Sequence, residues 1–171
     1  ASPFADVAVH SLSLSLIPRS SLAPAGCEPG PPRFVRGVDS GRMNDPIRAK
    51  RHVFALDCPD PLRLAEFYGR LLGWGVRASD SPDWVRVVPP EGAGAAFEIA
   101  CQRVENHVRP TWPEGRVPQQ AHLDFWVDSI DEATPLALSA GAEEHPHQPG
   151  AERDWKVFLD PAGHPFCLCE G

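Results

Sequence analysis

A stretch that alternates like a β-strand and then continues with helical spacing occurs twice in this chain, at 51–74 and at 121–142. One constant offset aligns the two copies without a gap and matches an aspartate, an alanine and a glycine: Asp60 with Asp128, Ala65 with Ala133, and Gly73 with Gly141. Self-similarity of this kind indicates a repeated supersecondary unit. The repeat therefore limits the fold to architectures built from two like modules.

The two copies stay alike beyond their helices. Each is followed by a short apolar run that begins with tryptophan, at 84–88 and at 155–159, with the β-branched and aromatic content that strands prefer. The next segments, 91–98 and 160–167, share an acidic residue, a glycine and a phenylalanine at matching positions. Each module therefore reads as a strand, a helix and then further strands joined by hairpins.

The helix of the first module is predicted to begin after Asp60, which is placed to cap it, and to end at Gly73. Pro61 then occupies the first turn, where proline is tolerated. Apolar side chains recur at the spacing of one buried stripe: Leu64, Ala65, Tyr68, Leu71 and Leu72. The second helix has a narrower stripe, and Pro135 predicts a shortened or bent first turn there.

Charge and composition exclude several classes of partner. The formal net charge of -7 argues against a nucleic-acid surface, because phosphate contacts need clustered lysine and arginine. No run approaches the roughly 18 apolar residues that a membrane-spanning helix needs. The five cysteines lack the paired spacing of a structural zinc site, so we expect reduced thiols. These features predict a soluble, cytoplasmic protein with no nucleic-acid or membrane partner.

Residues 1–42 differ in composition from everything that follows, with six prolines and many serines and alanines. The only methionine of the chain, Met43, comes directly after them. We expect Met43 to be the natural start and residues 1–42 to be a non-native or disordered leader. A secretory signal is the competing interpretation, although the segment has neither a basic start nor an unbroken apolar core.

The remaining sequence predicts one domain at 48–170, in which a proline-rich linker at 102–120 joins module one at 50–101 to module two at 121–170. Long loops in compact domains are often functional, and a plain crossover between the two halves explains this linker equally well. The chain contains no nucleophile elbow and no phosphate-binding loop. Any reaction chemistry must therefore come from the surface that the modules themselves form.

Three stretches give the chain a family resemblance: DPLRLAEFYGRLLGW at 60–74, HLDFWVDSID at 122–131 and DPAGHPFCL at 160–168. With the duplicated unit, they resemble the glyoxalase, bleomycin-resistance and ring-cleaving dioxygenase superfamily, also called the vicinal oxygen chelate superfamily, and its glyoxalase-like subgroup. The resemblance implies an α+β fold of two βαβββ modules. Their sheets would form an open half-barrel, or cup, with the helices outside and the site inside.

Metal-dependent members of that superfamily take one ligand from the first strand and one from the last strand of each module. The resemblance carries two of these positions over to Glu98 and His122. Cys167 stands where a glutamate is expected, and His52 is shifted by two residues from the expected position, which Phe54 occupies. The implied metal set of His52, Glu98 and His122 is therefore incomplete. It allows no more than a weakly bound divalent ion, for which the neighbouring thiol favours zinc.

Alternation along the first strand of module two predicts that His122, Asp124 and Trp126 line the cup while the residues between them pack under the helix. Glu98, His122 and Asp124 are the candidate catalytic groups, because carboxylates and imidazoles move protons near neutral pH. The candidate ligand-contacting residues are His52, Phe54, Trp126 and Cys167. Ordinary hydrogen bonds within a polar cup are the alternative role for Glu98 and His122.

Two functions remain open. In the first, the cup binds an apolar or aromatic small molecule beside Trp126 and Phe54, with a degenerate metal site and no cofactor. In the second, a metal or a carboxylate polarises a small oxygenated substrate, as in a lyase, an isomerase or a dioxygenase. The incomplete ligand set favours binding. The resemblance also implies a homodimer, because family members pair their modules within one chain or across a dimer.

Overall fold

A computed structural model describes residues 49–119, 121–150 and 153–171, so the predicted leader at 1–42 lies outside the described residues. The first module contains β1 Val53–Cys58, α1 Pro61–Leu72, β2 Gly75–Ala78, β3 Trp84–Val88 and β4 Glu98–Arg103. The second contains β5 Leu123–Val127, α2 Ile130–Ala140, β6 Glu143–Glu144, β7 Trp155–Leu159 and β8 Pro165–Glu170. Within the described ranges, neither helix is long and apolar enough to cross a membrane.

Each module forms its own four-stranded sheet. The strand orders are β1-β4-β3-β2 and β5-β8-β7-β6. The first strand of each module runs parallel to the last, while the other neighbours are antiparallel. Both sheets are open, and the predicted α+β fold of two βαβββ modules is confirmed.

Helix α1 begins and ends as its sequence predicts. The Asp60 carboxylate accepts a hydrogen bond from the backbone N–H of Arg63 at 3.1 Å, and Gly73 ends the helix with a φ of 66°. The buried surface is wider than one stripe, because Phe67 is also fully buried and its ring lies 5.9 Å from that of Phe166 in the second module. The helix therefore packs against both modules at once.

Helix α2 corrects a prediction. It begins directly after Ser129, whose hydroxyl accepts a hydrogen bond from the backbone N–H of Glu132 at 3.4 Å, so its first turn is not shortened. Pro135 lies inside the helix and is exposed. The backbone carbonyl of Asp131, which would otherwise pair with an N–H at position 135, also lies on an exposed residue and can be hydrated. Hydration of this carbonyl thus lowers the free-energy cost of a proline inside the helix below the cost that the sequence pattern alone suggests.

The two modules share one hydrophobic core rather than having one each. It combines residues of both helices with the helix-facing sides of both sheets, among them Leu56, Cys58, Ile99, Cys101, Ala137, Ala140, Phe158, Phe166 and Leu168. Polar contacts add to this packing: the Tyr68 hydroxyl donates to Asp160 at 2.9 Å, and the Arg70 guanidinium donates to the carbonyl of Ala140 at 3.1 Å. We therefore expect the two modules to unfold together.

The linker between the modules folds against module two. Trp112 packs on a second cluster of buried residues on the other side of that sheet, composed of Trp155, Val157, Cys167 and Cys169. Further along the linker, the Arg109 side chain lies against Gly163 and reaches the Glu143 carboxylate at 3.6 Å. The linker thus covers part of the surface that the sequence leaves as an open cup.

Gly163→Ala should destabilise the protein by about 2 kcal/mol, because Gly163 has a φ of +91° and an added Cβ would collide with Nε of Arg109. Gly92→Ala is the matched control, since Gly92 has a φ of +82° with nothing within 4 Å of the added Cβ. Urea unfolding of both variants measures the difference. Adding Arg109→Ala to Gly163→Ala should reduce the difference in unfolding free energy between the two glycine variants. Equal losses of unfolding free energy in Gly163→Ala and Gly92→Ala would refute the contact with Arg109.

Candidate functional site

The face of each sheet opposite the helices is its open face, and β1 presents a different set of residues there than expected. Leu56 and Cys58 belong to the core, so Phe54 lies with them on the helix side, where its ring contacts that of Phe97 at 5.3 Å. Phe54 is nevertheless 54% exposed. Its predicted position inside the cup is therefore wrong. His52 precedes the strand and is exposed.

Glu98 lies on the open face of the first sheet, where it is paired with arginine. Its Oε2 is 2.7 Å from Nη1 of Arg86, and its Oε1 is 3.8 Å from Nε of Arg51. The Glu98 side chain is only 13% exposed, so the Arg86 pair is partly shielded from water. Both carboxylate oxygens of the predicted metal ligand thus already face a cation.

Arg86 is a site residue that the sequence analysis missed. It alternates with Val85 and Val87, which are buried in the core, so it must point to the open face. A charged residue between two core valines is the signal that could have identified it. Across the β2–β3 pair, Arg77 is directly opposite Arg86, which concentrates positive charge beside Glu98.

Strand register separates two positions that the repeat alignment equates. Glu98 is level with Val53, whereas Cys167 is level with Asp124. The connections that precede the last strands also differ, since residues 89–97 are a longer segment than residues 160–164. Both residues still lie on open faces, but they do not occupy equivalent rows.

The open face of the second sheet follows the predicted alternation at β5. Leu123, Phe125 and Val127 pack against the core, which confirms the assignment of the intervening residues to the other face. His122 Nε2 lies 3.6 Å from Asp124 Oδ1, and each of these side chains is about one-third exposed, at 34% and 33%. Trp126 is 51% exposed. An imidazole, a carboxylate and a large aromatic side chain thus line one strand.

Cys167 lies beside this group but is closed off from solvent, with 8% exposure. Burial, followed by the charge of Asp124 and a hydrogen bond to its carboxylate, together raise the pKa of this thiol to about 12. The thiol is therefore protonated at neutral pH, whereas a metal binds the thiolate.

Cys58, Cys101 and Cys167 are free thiols, but Cys169 is disulfide-bonded, so the expectation of reduced thiols is wrong for Cys169.

The three predicted metal ligands do not form one cluster, although His52 and Glu98 are adjacent, since the backbone N–H of Glu98 donates to the His52 carbonyl at 3.0 Å. His52 and Glu98 belong to the first module and His122 to the second, and no three His, Cys, Asp or Glu residues within the described ranges are arranged to hold a metal ion. Glu98 is engaged by arginine, and the Cys167 thiol is protonated. The donors of a single chain therefore do not fit the divalent ion that the resemblance implies.

Asp160, which the sequence suggested only as a matching acidic position, is the most highly connected buried polar residue of module two. It is 1% exposed, and its carboxylate accepts from the Tyr68 hydroxyl, the His164 ring and the backbone N–H groups of Ala162 and His164. Burial, followed by the Asp160 charge, raises the pKa of Tyr68 well above its usual value, so the phenol remains a donor. This network orients the turn at 160–164 against α1.

Comparisons with known proteins agree with this fold. A family model for the glyoxalase-like domain matches residues 53–169. The fosfomycin resistance protein FosX from Listeria monocytogenes is 20% identical over 73% of this chain and 94% of its own, with a TM-score of 0.53. A glyoxalase/bleomycin resistance protein/dioxygenase family enzyme from Burkholderia phytofirmans is 21% identical over 69% of this chain and 95% of its own, with a TM-score of 0.51. No curated protein sequence matches the chain.

Proposed function

Because this chain belongs to the glyoxalase-like domain family, we propose that it binds an apolar or aromatic small molecule on its open faces through a degenerate site that needs no catalytic metal. The observation that carries the proposal is the pairing of Glu98 with Arg86 at 2.7 Å. A carboxylate whose charge is already offset by an arginine attracts a divalent ion less strongly than an unpaired one. The protonated Cys167 thiol supports the same conclusion.

Trp126 is the proposed contact for the aromatic part of the ligand. It is half-exposed on β5, beside the polar pair of His122 and Asp124. An apolar surface with a few convergent polar groups is the usual composition of a small-molecule site. Phe54 is no longer part of this proposal, because its ring packs with Phe97 on the helix side.

A calorimetric titration of the protein with 1-naphthol tests the binding proposal. Trp126→Ala should weaken the affinity about tenfold, because large aromatic anchors dominate binding at such sites. Leu136→Ala is the matched control, since Leu136 is a large exposed apolar residue on α2 and is 68% exposed. The same affinity in both variants, or no binding by the unmodified chain, would reject the proposal.

The metal content should follow from the same chemistry. Protein purified without chelator is expected to carry well under one metal ion per chain by elemental analysis, since the thiol and the paired carboxylate are poor ligands at neutral pH. Added zinc, nickel or manganese should change the melting temperature no more in the unmodified chain than in His122→Ala. Stoichiometric metal that disappears in both His122→Ala and Glu98→Gln would instead favour a metal-dependent lyase, isomerase or dioxygenase.

A second candidate function is proton transfer on a small oxygenated substrate, and the His122–Asp124 pair is the observation that favours it. An imidazole oriented by a nearby carboxylate is a common general base. Exchange of carbon-bound protons of hydroxyacetone in D2O, followed by NMR, measures this chemistry. Exchange that is lost both in His122→Ala and in Asp124→Asn would show that the protein catalyses proton transfer and does not only bind a small molecule.

We also propose a homodimer. Strands β1 and β5 each lie at the edge of a sheet, and an uncovered strand edge is prone to pair with another chain. A second copy that covers these edges would bring the open faces of separate chains together. Light scattering at micromolar concentration should give a dimer mass, and a monomer mass would exclude this assembly.

A cytoplasmic location is the last part of the proposal. The free thiols of Cys58, Cys101 and Cys167 are typical of a reducing compartment, whereas the disulfide of Cys169 is more typical of an oxidising one. Cell fractionation with alkylation of free thiols before lysis separates these cases. A reduced Cys169 in a cytoplasmic fraction would agree with the proposal, and recovery of the protein outside the cytoplasm would contradict it.

A further inference from the structure

A cavity of about 510 Å3 lies between β1, the linker and the start of the second module. Its apolar walls come from alanine, valine and proline side chains, including those of Val108 and Val117. Its polar lining comprises Asp57, Asn106, His107 and His164, of which the Asn106 amide can both donate and accept. Cavities of roughly 300 to 1,000 Å3 with apolar walls and a few polar groups hold small organic molecules. This cavity is separate from the His122, Asp124 and Trp126 surface.

The His164 ring presents an acceptor. Its Nδ1 lies 2.8 Å from Oδ2 of Asp160, a buried carboxylate that also receives the Tyr68 hydroxyl. An ionised carboxylate only accepts hydrogen bonds, so the proton of a neutral ring is assigned to Nδ1. Nε2 is then left with a free lone pair. The same Asp160 that holds the turn thereby sets the hydrogen-bonding character of a side chain that lines the cavity.

The His107 ring also presents an acceptor nitrogen, in this case Nδ1 rather than Nε2. Its Nε2 lies 2.9 Å from the carbonyl oxygen of Ala162, which can only accept, so the proton of a neutral ring is assigned to Nε2. Nδ1 is the acceptor in this case. The rings of His107 and His164 are close, with centroids 5.6 Å apart. Two imidazoles of the lining therefore offer lone pairs rather than donors.

Asp57 adds a negative charge to this lining. It lies near the end of β1, and it forms no hydrogen bond or ion pair through its side chain with any residue that the structure describes. A carboxylate and two imidazole lone pairs, beside an Asn106 amide oxygen that can also accept, suit a ligand that supplies hydrogen-bond donors and, beside Asp57, a positive charge. We propose that this cavity is a binding site for an organic ammonium ion with an apolar or aromatic body. Asp57 pairs with the ammonium group, and the two imidazoles accept its N–H bonds.

The test compares 2-phenylethylamine with 2-phenylethanol, a neutral compound of similar size and shape, by calorimetric titration of the full chain at pH 8. The amine should bind about tenfold more tightly than the alcohol, because only the amine forms charge-assisted hydrogen bonds. Asp57→Asn should remove that preference. Asp80→Asn is the matched control, since Asp80 is exposed outside the cavity and the change in net charge is the same. It should keep the preference.

A second variant tests whether the ligand binds inside the cavity. Val117→Trp adds a large side chain to the lining of the cavity and should abolish binding of both the amine and the alcohol, while the melting temperature of each variant reports folding. No binding of the amine by the unmodified chain, or equal affinities in Asp57→Asn and Asp80→Asn, would overturn the proposal. Amine binding that survives Val117→Trp in a folded protein would also overturn it, because the ligand would then lie elsewhere.

Discussion

Asp160→Ala is expected to lower the free energy of unfolding by about 4 kcal/mol, the largest effect of any polar substitution in this protein. The Asp160 carboxylate is buried and satisfies the Tyr68 hydroxyl, the His164 ring and two backbone N–H groups. Its removal leaves the buried Tyr68 hydroxyl and the buried N–H of Ala162 without an acceptor. The contact with Tyr68 also joins the turn of module two to α1 of module one. Urea unfolding measures the loss.

Two comparisons distinguish the loss of unfolding free energy in Asp160→Ala from the loss that removal of an exposed aspartate would cause. Asp60→Ala removes the exposed cap of α1 and should cost only about 1 kcal/mol. Tyr68→Phe keeps the carboxylate and deletes one donor, so its cost should fall between the two. A loss in Asp160→Ala no larger than that in Asp60→Ala would show that the buried network does not hold the turn.

Phe67→Ala is the second large effect, with an expected loss of about 4 kcal/mol. The ring is fully buried and lies 4.9 Å from that of Tyr68 and 5.9 Å from that of Phe166, so its removal opens a cavity where α1 meets the second module. The shared core predicts that this substitution weakens both modules together. Hydrogen exchange should therefore lose protection in β4 and β8 to a similar extent.

Leu62→Ala provides the matched control for this prediction. Leu62 lies on the same helix and is 50% exposed, so its truncation should cost less than about 1 kcal/mol. Loss of protection confined to the first module in Phe67→Ala would mean that the modules are independently stable. A single loss of protection across both modules would establish the common core.

Local patterns in the sequence predicted the modules and much of their detail. The repeat predicts two copies of one unit, and the family resemblance implies the βαβββ order that the structure confirms. The Asp60 cap, the Gly73 end of α1 and the alternation along β5 depend on neighbouring residues, and all three are confirmed. The misjudged first turn of α2 also involves a local pattern, but its cost depends on whether Pro135 is exposed to water.

The candidate site needed the tertiary structure. Alternation predicts which residues of β1 share a face, but it does not say which face meets a helix; Leu56 and Cys58 decide this by entering the core, and Phe54 goes with them. The ion pairs of the site depend on neighbours from other strands, as the pairing of Arg86 with Glu98 across twelve residues shows.

The sequence by itself determined the duplicated modules, the helix caps and the two faces of each strand, because these properties depend on residues close together in the chain. Only the tertiary structure decided that Glu98 forms an ion pair with Arg86, that the Cys167 thiol is protonated and that Asp57, His107 and His164 line one cavity. Each of these depends on strand register, burial or the path of the linker. Those properties arise when distant segments pack together, and no local pattern encodes them.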